Sequence, residues 1–171
     1  MLAWDDRVHR NGACYRFDFR TPARIPATGD LVFSASQADI DTLPKGFAAK
    51  GPRRNQDRAP LDWSIVLVDA AGQTARLPLS HDQVLYPQLK SETRRAGLID
   101  RLARSKIVMR RFKLALRDFT AVNPKLDAGR LSEIRFEFDR SRRGAIALDE
   151  VGLAPGAIKP PAQPGRRARP M

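Results

Sequence analysis

The chain has 171 residues, 42% of them hydrophobic, and a formal net charge of +12 at pH 7. This length suits one domain with a substantial core, and no stretch approaches the roughly 18 consecutive apolar residues of a membrane-spanning helix. Cys14 is the only cysteine, which excludes an intramolecular disulfide. Asp5 and Asp6 lie where a signal peptide would be apolar, so no export signal is visible and the compartment stays open.

Alternation of apolar and polar residues predicts strands through the first half of the chain. The predicted strands are residues 2–4, 14–19, 30–38, 61–69 and 74–79. In the second of them, Tyr15, Phe17 and Phe19 alternate with polar residues. Trp63 falls on the apolar side of the fourth and is predicted to lie in the core. Between the last two strands, Ala71-Gly72 predicts a hairpin turn.

Two segments depart from the strand pattern. Residues 39–60 contain several prolines and glycines and predict a long loop, a feature that is often functional. Residues 91–105 place Leu98, Ile99 and Leu102 at helical spacing and predict a short helical insertion. Its solvated face would carry four arginines, namely Arg94, Arg95, Arg101 and Arg104.

The last third of the chain predicts the strands that close the domain. Phe112, Leu114 and Leu116 alternate with polar residues, as do Ile134, Phe136 and Phe138, and a less regular run covers residues 145–151. Many short strands without βαβ alternation favour an all-β fold, a two-layer antiparallel jelly-roll sandwich over residues 1–154. A strand before Leu2 is left open, and the proline-rich residues 155–171 are predicted to be a disordered tail.

Several segments resemble a known module. WSIVLVDAAGQTARLPL (63–79), LALRDFTAVNPKLDAGRLSEIRFEFD (114–139) and AIALDEVGL (145–153) resemble the C-terminal β-sandwich accessory domain of large bacterial α/β-hydrolases of the chlorophyllase or dienelactone-hydrolase-like kind. More distantly, the chain is similar to galactose-binding-like, carbohydrate-binding sandwiches. The resemblance implies a non-catalytic module that packs beside a catalytic domain or presents a ligand face. It also implies that the chain is a piece of a longer hydrolase or a free-standing relative.

No residues with a catalytic pattern stand out. The G-x-S-x-G turn of α/β-hydrolases is absent from the sequence. Ser80, His81 and Asp82 are consecutive and cannot align as a relay, so they are predicted to form a turn. His9 and Cys14 fall short of the roughly three or four ligands of a zinc site, and Cys14 is predicted to be a buried, inert thiol. The sequence therefore predicts no catalytic residue and no enzyme activity for this chain.

Sugar binding would need exposed aromatic side chains. The candidates are Trp4, Tyr15, Phe47, Trp63 and Tyr86, and of these Phe47 and Tyr86 lie in predicted loops and are the predicted ligand-binding residues. Asp149 lies between Leu148 and Val151 and is predicted to be partly buried. The resemblance implies that a carboxylate here bonds to a neighbouring loop, the favoured reading, or helps to hold a structural calcium. No other cofactor is predicted.

The positive charge is uneven, and it supports an alternative function. Residues 90–117, 45–58 and 155–171 carry the basic excess, whereas the strand framework is mildly acidic. The four arginines of residues 91–105 could bind nucleic acid or another polyanion, lie on a solvated face, or pack on an acidic surface of a catalytic domain. The sequence favours a sandwich module with a saccharide ligand or a hydrolase domain as partner, and a basic adaptor is the alternative.

Overall fold

A computed structural model describes residues 2–5, 13–23, 28–38, 59–87 and 108–155. These residues form eight strands, one α-helix and one 3₁₀ turn. The strands are β1 (Leu2–Asp5), β2 (Ala13–Ala23), β3 (Asp30–Gln37), β4 (Ser64–Asp69), β5 (Thr74–Pro78), β6 (Arg110–Ala115), β7 (Leu131–Phe138) and β8 (Arg143–Ala154). The helix α1 spans Leu116–Val122, and the 3₁₀ turn spans Leu79–His81.

The strands form two antiparallel four-stranded sheets. The first has the order β1-β8-β3-β6 and the second the order β2-β7-β4-β5. The pairing is nested, because β1 pairs with β8, β2 with β7, β3 with β6 and β4 with β5. This nesting is the arrangement of an eight-stranded jelly roll. The predicted all-β, two-layer jelly-roll sandwich is therefore confirmed.

The core lies between the sheets and follows the predicted alternation. Phe112 on β6 and Phe136 on β7 are fully buried, and Trp63 is also buried as predicted. Trp4 of β1 stacks on Phe138 of β7 with ring centroids 4.2 Å apart, which joins the first sheet to the second. The aromatic contacts across the layers show that the apolar faces of both sheets meet in one core.

The segment after β6 differs from the prediction. Leu116 was predicted to continue the strand, but it begins α1, and the strand ends at Ala115. Its N–H donates to the carbonyl oxygen of Gly29, and both Leu116 and Phe119 are buried one helical turn apart. The predicted helix at residues 91–105 lies outside the described residues, as do most of the predicted loop and the tail beyond Pro155. No helix in the described ranges is long and apolar enough to cross a membrane.

Cys14 also differs from the prediction, because its thiol is exposed. In the β2–β7 pair, Ala13 lies opposite Phe138, Cys14 opposite Glu137 and Tyr15 opposite Phe136. Directly opposed residues point to the same face of a sheet. Since Phe136 and Phe138 point into the core, Cys14 must point to the outer face.

Asp69 connects the β4–β5 turn to the loop after α1. Its Oδ1 accepts the N–H groups of Ala71 and Gln73, each at 2.8 Å, and its Oδ2 accepts the N–H of Asp127 at 2.9 Å. Burial of this carboxyl raises its pKa, but these backbone donors together outweigh burial and hold the pKa below its ordinary value of 3.8. The charged form of Asp69 therefore stabilises the folded chain.

Candidate functional site

A cleft opens at one edge of the sandwich, between β2 and the β1–β8 side of the first sheet. Its volume is about 260 Å³. Three apolar side chains, two aromatic side chains and two carboxylates line it: Leu2, Leu148, Val151, Tyr15, Phe17, Asp149 and Glu150. The lining of the cleft is therefore mixed, with both apolar and polar groups.

The cleft is open where β8 extends beyond its pairing with β1. The β1–β8 pairing runs from Asp5 opposite Arg143 to Leu2 opposite Ile146. Beyond Ile146, β8 pairs with β3 on one side, and no described strand pairs with its other side. The inward face of β2 is consequently left incompletely covered, and 38% of the Tyr15 surface is exposed.

Two aromatic rings of β2 form one wall of the cleft. Tyr15 lies opposite Phe136 in the sheet, with ring centroids 6.5 Å apart, and Phe17 is in an edge-to-face contact with Phe19 at 5.5 Å. Contacts of this kind restrict the ring orientations. The Tyr15 hydroxyl can both donate and accept a hydrogen bond. The wall therefore combines flat apolar surface with a polar group.

A β-bulge places the two carboxylates. Val32 pairs with Gly152 and Ser34 pairs with Asp149, so β8 contains one more residue than β3 over this stretch. Glu150 lies in the bulge with a φ of 52°, which side-chain-bearing residues seldom adopt. Such backbone conformations are common at functional sites. The bulge thus turns the strand at the side of the cleft.

Local hydrogen bonds hold both carboxylates in place. Asp149 Oδ1 accepts the N–H of Glu150 at 2.8 Å. Glu150 Oε2 accepts the hydroxyl hydrogen of Ser34 at 3.0 Å, and Ser34 itself is buried. Each carboxylate keeps its other oxygen, Asp149 Oδ2 and Glu150 Oε1, without a hydrogen bond to any residue in the described ranges. Ser34 lies opposite Asp149 and alternates with the buried Phe33 and Ala35, so it points to the outer face of the first sheet. The two carboxylates are therefore held on that outer face, whereas Tyr15 and Phe17 point inward.

The prediction that Asp149 is partly buried is wrong, because Asp149 is exposed. Asp149 lies opposite Ser34 and alternates with Leu148, which packs against the core, so its side chain points to the outer face of the first sheet. There its Oδ1 accepts the adjacent N–H of Glu150. Calcium takes about six to eight oxygens. No group of three His, Cys, Asp or Glu side chains that could share a metal exists among the described residues. A calcium at Asp149 stays a prediction that would need backbone carbonyls or water as further ligands.

The other predicted binding residues do not lie in this cleft. Tyr86 is exposed as predicted, but the guanidinium of Arg110 lies 5.5 Å from its ring centroid. Arg110 belongs to β6, at the opposite edge of the first sheet from β1. Phe47 and the four arginines of residues 91–105 lie outside the described residues.

The consecutive Ser80, His81 and Asp82 form a turn, as predicted. The Ser80 hydroxyl donates to Asp62 Oδ2 at 3.0 Å, whereas His81 Nε2 lies 3.1 Å from Asp118 Oδ2. The serine and the histidine thus contact different carboxylates and do not form a nucleophile–base pair.

The outer face of the second sheet carries ion pairs. Glu133 lies between Arg135, at 2.6 Å, and Arg16, at 3.5 Å, and hydrogen bonding to Arg135 lowers its pKa. Arg76 pairs with Glu137 and with Asp139. These groups already bind one another, so they offer little to a ligand.

Sequence reasoning identified Tyr15 and Asp149 as candidates but did not place them at one cleft, and it missed Phe17. Alternation along β2 predicts that the aromatic residues are buried, and it carries no information on whether another strand covers them. One feature of the sequence does indicate part of the site. The alternation of the last strand becomes irregular near Glu150, where the structure has the bulge.

Comparison with known proteins gives structural matches alone. No protein-family model and no curated protein sequence matches the chain. A solved structure of the family 30 carbohydrate-binding module of a cellulosomal cellulase of Clostridium thermocellum is similar, with a TM-score of 0.53 and 10% identity. The similarity covers 83% of this chain and 66% of that one.

A second structure of a family 30 carbohydrate-binding module gives the same TM-score, 0.53, and the same identity, 10%. Here the similarity covers 92% of this chain and 63% of the other, so this chain spans less than two thirds of either structure. At such low identity the similarity shows a shared β-sandwich fold.

Proposed function

We propose that this chain is a non-catalytic module that binds saccharides in the cleft between β2 and β8. One observation carries the proposal: Tyr15 and Phe17 line an open cleft at the edge of the sandwich. An aromatic ring can stack on the C–H face of a sugar, and the Tyr15 hydroxyl can donate and accept hydrogen bonds with its hydroxyl groups. The cleft provides both kinds of contact.

The size of the cleft suits a small part of a saccharide. Its volume of about 260 Å³ is just under the roughly 300–1,000 Å³ of pockets that enclose drug-sized molecules. One or two sugar rings would fill it, and the rest of a longer chain would extend into solvent.

The fold and the sequence support this role. The matching structures are carbohydrate-binding modules, but a shared fold alone does not specify a function. The absence of a G-x-S-x-G turn from the sequence supports a non-catalytic role. The resemblance to accessory domains of α/β-hydrolases suggests that a hydrolase domain is the partner, which the module would hold close to a saccharide.

Isothermal titration calorimetry of the purified chain against soluble neutral, acidic and amino oligosaccharides tests the proposal. Replacing Tyr15 or Phe17 by Ala should weaken binding at least fivefold, which corresponds to a loss of about 1 kcal/mol. Tyr86→Ala is the matched control, because it removes an exposed aromatic ring at the opposite edge of the first sheet and should leave the affinity unchanged.

Two outcomes would contradict the proposal. One is that no saccharide binds at millimolar concentration. The other is that Tyr86→Ala weakens binding as much as Tyr15→Ala, which would move the site to the loop aromatics. Retention on DNA that falls steeply with salt, and that is lost when Arg94, Arg95, Arg101 and Arg104 are replaced by Ala, would favour the polyanion-binding alternative.

A further inference from the structure

Strand β2 forms one edge of the second sheet. Among the described strands it pairs with β7 alone, so one side of its backbone has no partner strand within the described ranges. Its pairing with β7 is continuous from Ala13 to Asp18 and becomes irregular between Asp18 and Ala23. A long, regular edge strand is a template on which another strand can pair.

The inward-facing side chains of β2 are less buried than those of the strand beside it. On β7, Ile134, Phe136 and Phe138 are at most 2% exposed. On β2, Tyr15 lies opposite Phe136 and is 38% exposed, and Phe17 lies opposite Ile134 and is only partly buried. Both rows face the same core, so the difference comes from the edge position of β2. A further strand beside β2 would cover these rings.

The outward-facing side chains of β2 include an acidic group without a cation. Asp18 lies opposite Glu133 of β7, and like charges placed directly opposite each other destabilise a sheet. Glu133 is neutralised by Arg135 and Arg16, whereas Asp18 is in no ion pair with a described residue. The side chain of Arg16 is 62% exposed and can contact a second carboxylate. The edge therefore presents a cation and an anion two positions apart.

These two charges are complementary to themselves under two-fold symmetry. When two copies of β2 pair antiparallel about an axis through Phe17, Arg16 lies opposite the partner's Asp18, and Asp18 opposite the partner's Arg16. Opposite side chains in such a pair have Cβ atoms about 5 Å apart, which suits an ion pair. An axis through Arg16 or Asp18 would instead place two arginines or two aspartates opposite each other.

The shape of β2 excludes the remaining charge-matched register. An axis through Phe19 would place Asp18 opposite the partner's Arg20. It would also bring Pro22, which has no N–H, and the irregular part of β2 into the pair. The axis through Phe17 uses residues 13–21 and leaves Pro22 outside the pair.

The same axis brings the aromatic residues of the two copies together. Phe17 lies opposite the partner's Phe17, and Tyr15 lies opposite the partner's Phe19. Aromatic pairs across neighbouring strands stabilise a sheet. The exposed sides of these rings would be buried, as they are in β7.

The first sheet leaves room for this pairing. Trp4 of β1 stacks on Phe138, which lies opposite Ala13, so β1 lies over the Ala13 end of β2. The two-fold axis places the β1 strand of the second copy over the opposite end of the pair. The two clefts would then meet above Phe17 and form one longer groove.

We infer that two copies of this chain associate through β2, paired antiparallel about Phe17, so that their second sheets join into one continuous sheet. The interface is isologous, as in most symmetric dimers. Residues 13–21 are fewer than the roughly 20–30 residues a side of a standard interface, so we expect a reversible dimer. The inference does not rest on the saccharide-binding function proposed above.

Sedimentation velocity of the purified chain tests the association, without saccharide and at about 0.15 M salt to screen the net positive charge. The dimer fraction should rise with protein concentration. Asp18→Arg should weaken dimerisation about tenfold or more, because it places two like charges opposite each other at each end of the contact. Within its own sheet the new side chain lies opposite Glu133, so the variant should fold.

A charge exchange distinguishes the interface from a general effect of charge. The double variant Arg16→Asp/Asp18→Arg restores opposite charges across the axis and should dimerise like the natural chain. Asp82→Arg is the matched control for Asp18→Arg. Asp82 is an exposed carboxylate that follows the 3₁₀ turn after β5, at the other edge of the second sheet. This variant changes the net charge equally and should leave the dimer intact.

Disulfide formation tests the register. Cys14 is the only cysteine of the chain and would lie opposite the partner's Arg20. Opposite residues have Cα atoms about 4.5–5.5 Å apart, within the range of a disulfide. Arg20→Cys should therefore give a covalent dimer under mild oxidation. The two Cys14 residues of the natural pair would lie roughly 20 Å apart along the strands, at about 3.3 Å per residue, and should not link.

Thr74→Cys is the control for this experiment, because Thr74 is exposed on β5, at the other edge of the second sheet. It adds the same number of thiols and should link much less. Equal linking of Arg20→Cys and Thr74→Cys overturns the register.

The outcomes separate this inference from the proposed function. A chain that stays monomeric at every concentration overturns the dimer and leaves saccharide binding intact. A dimer that survives Asp18→Arg, or that the double variant does not recover, overturns the β2 interface, as does equal dissociation in Asp82→Arg. A chain that dimerises as described but binds no saccharide overturns the proposed function alone.

Discussion

Ser34 Oγ donates a hydrogen bond of 3.0 Å to Glu150 Oε2 and so joins β3 to the bulge of β8. The two residues are 116 positions apart in sequence, and the bond holds the Glu150 carboxylate on the outer face of the first sheet. A buried hydroxyl in such a bond contributes about 1 kcal/mol to stability. The Ser34–Glu150 pair therefore stabilises the bulge of β8.

Replacing Ser34 by Ala tests that connection. The variant should unfold with a free energy about 1 kcal/mol lower, because the hydrogen bond to Glu150 is lost. Urea denaturation measures the effect. Ser64→Ala is the control: it removes a buried hydroxyl that donates to Asp139 at 2.9 Å. It should lower stability similarly, and a loss in Ser64→Ala without one in Ser34→Ala would argue against the Ser34–Glu150 bond.

The φ of 52° at Glu150 predicts an unusual response to glycine. Left-handed backbone costs a side-chain-bearing residue roughly 1–2 kcal/mol, and glycine avoids this cost. We expect Glu150→Gly to be more stable than Glu150→Ala by about 1 kcal/mol, measured by urea denaturation. Both variants lack the bond to Ser34, so their difference isolates the backbone.

The neighbouring residue provides the control. Asp149 has no positive φ, and glycine in a strand is normally less stable than alanine by roughly 0.5–1 kcal/mol. Asp149→Gly should therefore be less stable than Asp149→Ala. If the glycine variant is less stable than the alanine variant at both positions, the backbone at Glu150 is not strained.

Gly144 lies opposite Trp4 in the β1–β8 pair, and a Cβ at Gly144 would lie 2.5 Å from Trp4 Cζ2. Gly144→Ala should lower the free energy of unfolding by about 1–3 kcal/mol, the usual cost of overpacking. Gly152→Ala is the matched control on the same strand, because nothing lies within 4 Å of its added Cβ. It should be neutral or slightly stabilising in thermal and urea denaturation, and equal losses in both variants would contradict the close Trp4 contact.

Asp69 predicts a specific dependence of stability on pH. Its pKa in the folded protein is held below 3.8, so it binds a proton less readily folded than unfolded. The stability that this carboxylate contributes is therefore fully present above the unfolded pKa and is lost as the pH falls through the folded pKa. The difference in unfolding free energy between the natural chain and Asp69→Asn should be constant above about pH 5 and shrink below 3.8.

Urea denaturation at several pH values between 2 and 7 measures this difference. Asp69→Ala should be less stable than Asp69→Asn at pH 7, because Asn keeps an oxygen that can accept the N–H groups of Ala71 and Gln73. If the difference in unfolding free energy between the natural chain and Asp69→Asn grows as the pH falls, the pKa of Asp69 is not lowered in the folded protein.

Much of the fold could be predicted from local alternation. Burial was correctly predicted for Trp63, which immediately precedes β4, and for Phe112 and Phe136. Alternation works here because successive side chains of a strand point to opposite faces, whatever the strand pairs with. It failed at Leu116, where the chain leaves the sheet and a period of two gives way to a helical turn.

The candidate site shows where sequence information ends. The sequence by itself determined which residues form strands, which side chains share a face and where the excess charge lies, because these depend on neighbours along the chain. The tertiary structure alone decided that β1 pairs with β8 over Leu2–Asp5, that part of the Tyr15 side chain stays exposed, and that β8 has a bulge at Glu150. These features depend on pairing between strands more than a hundred residues apart, and the energy of that pairing is not contained in any local pattern.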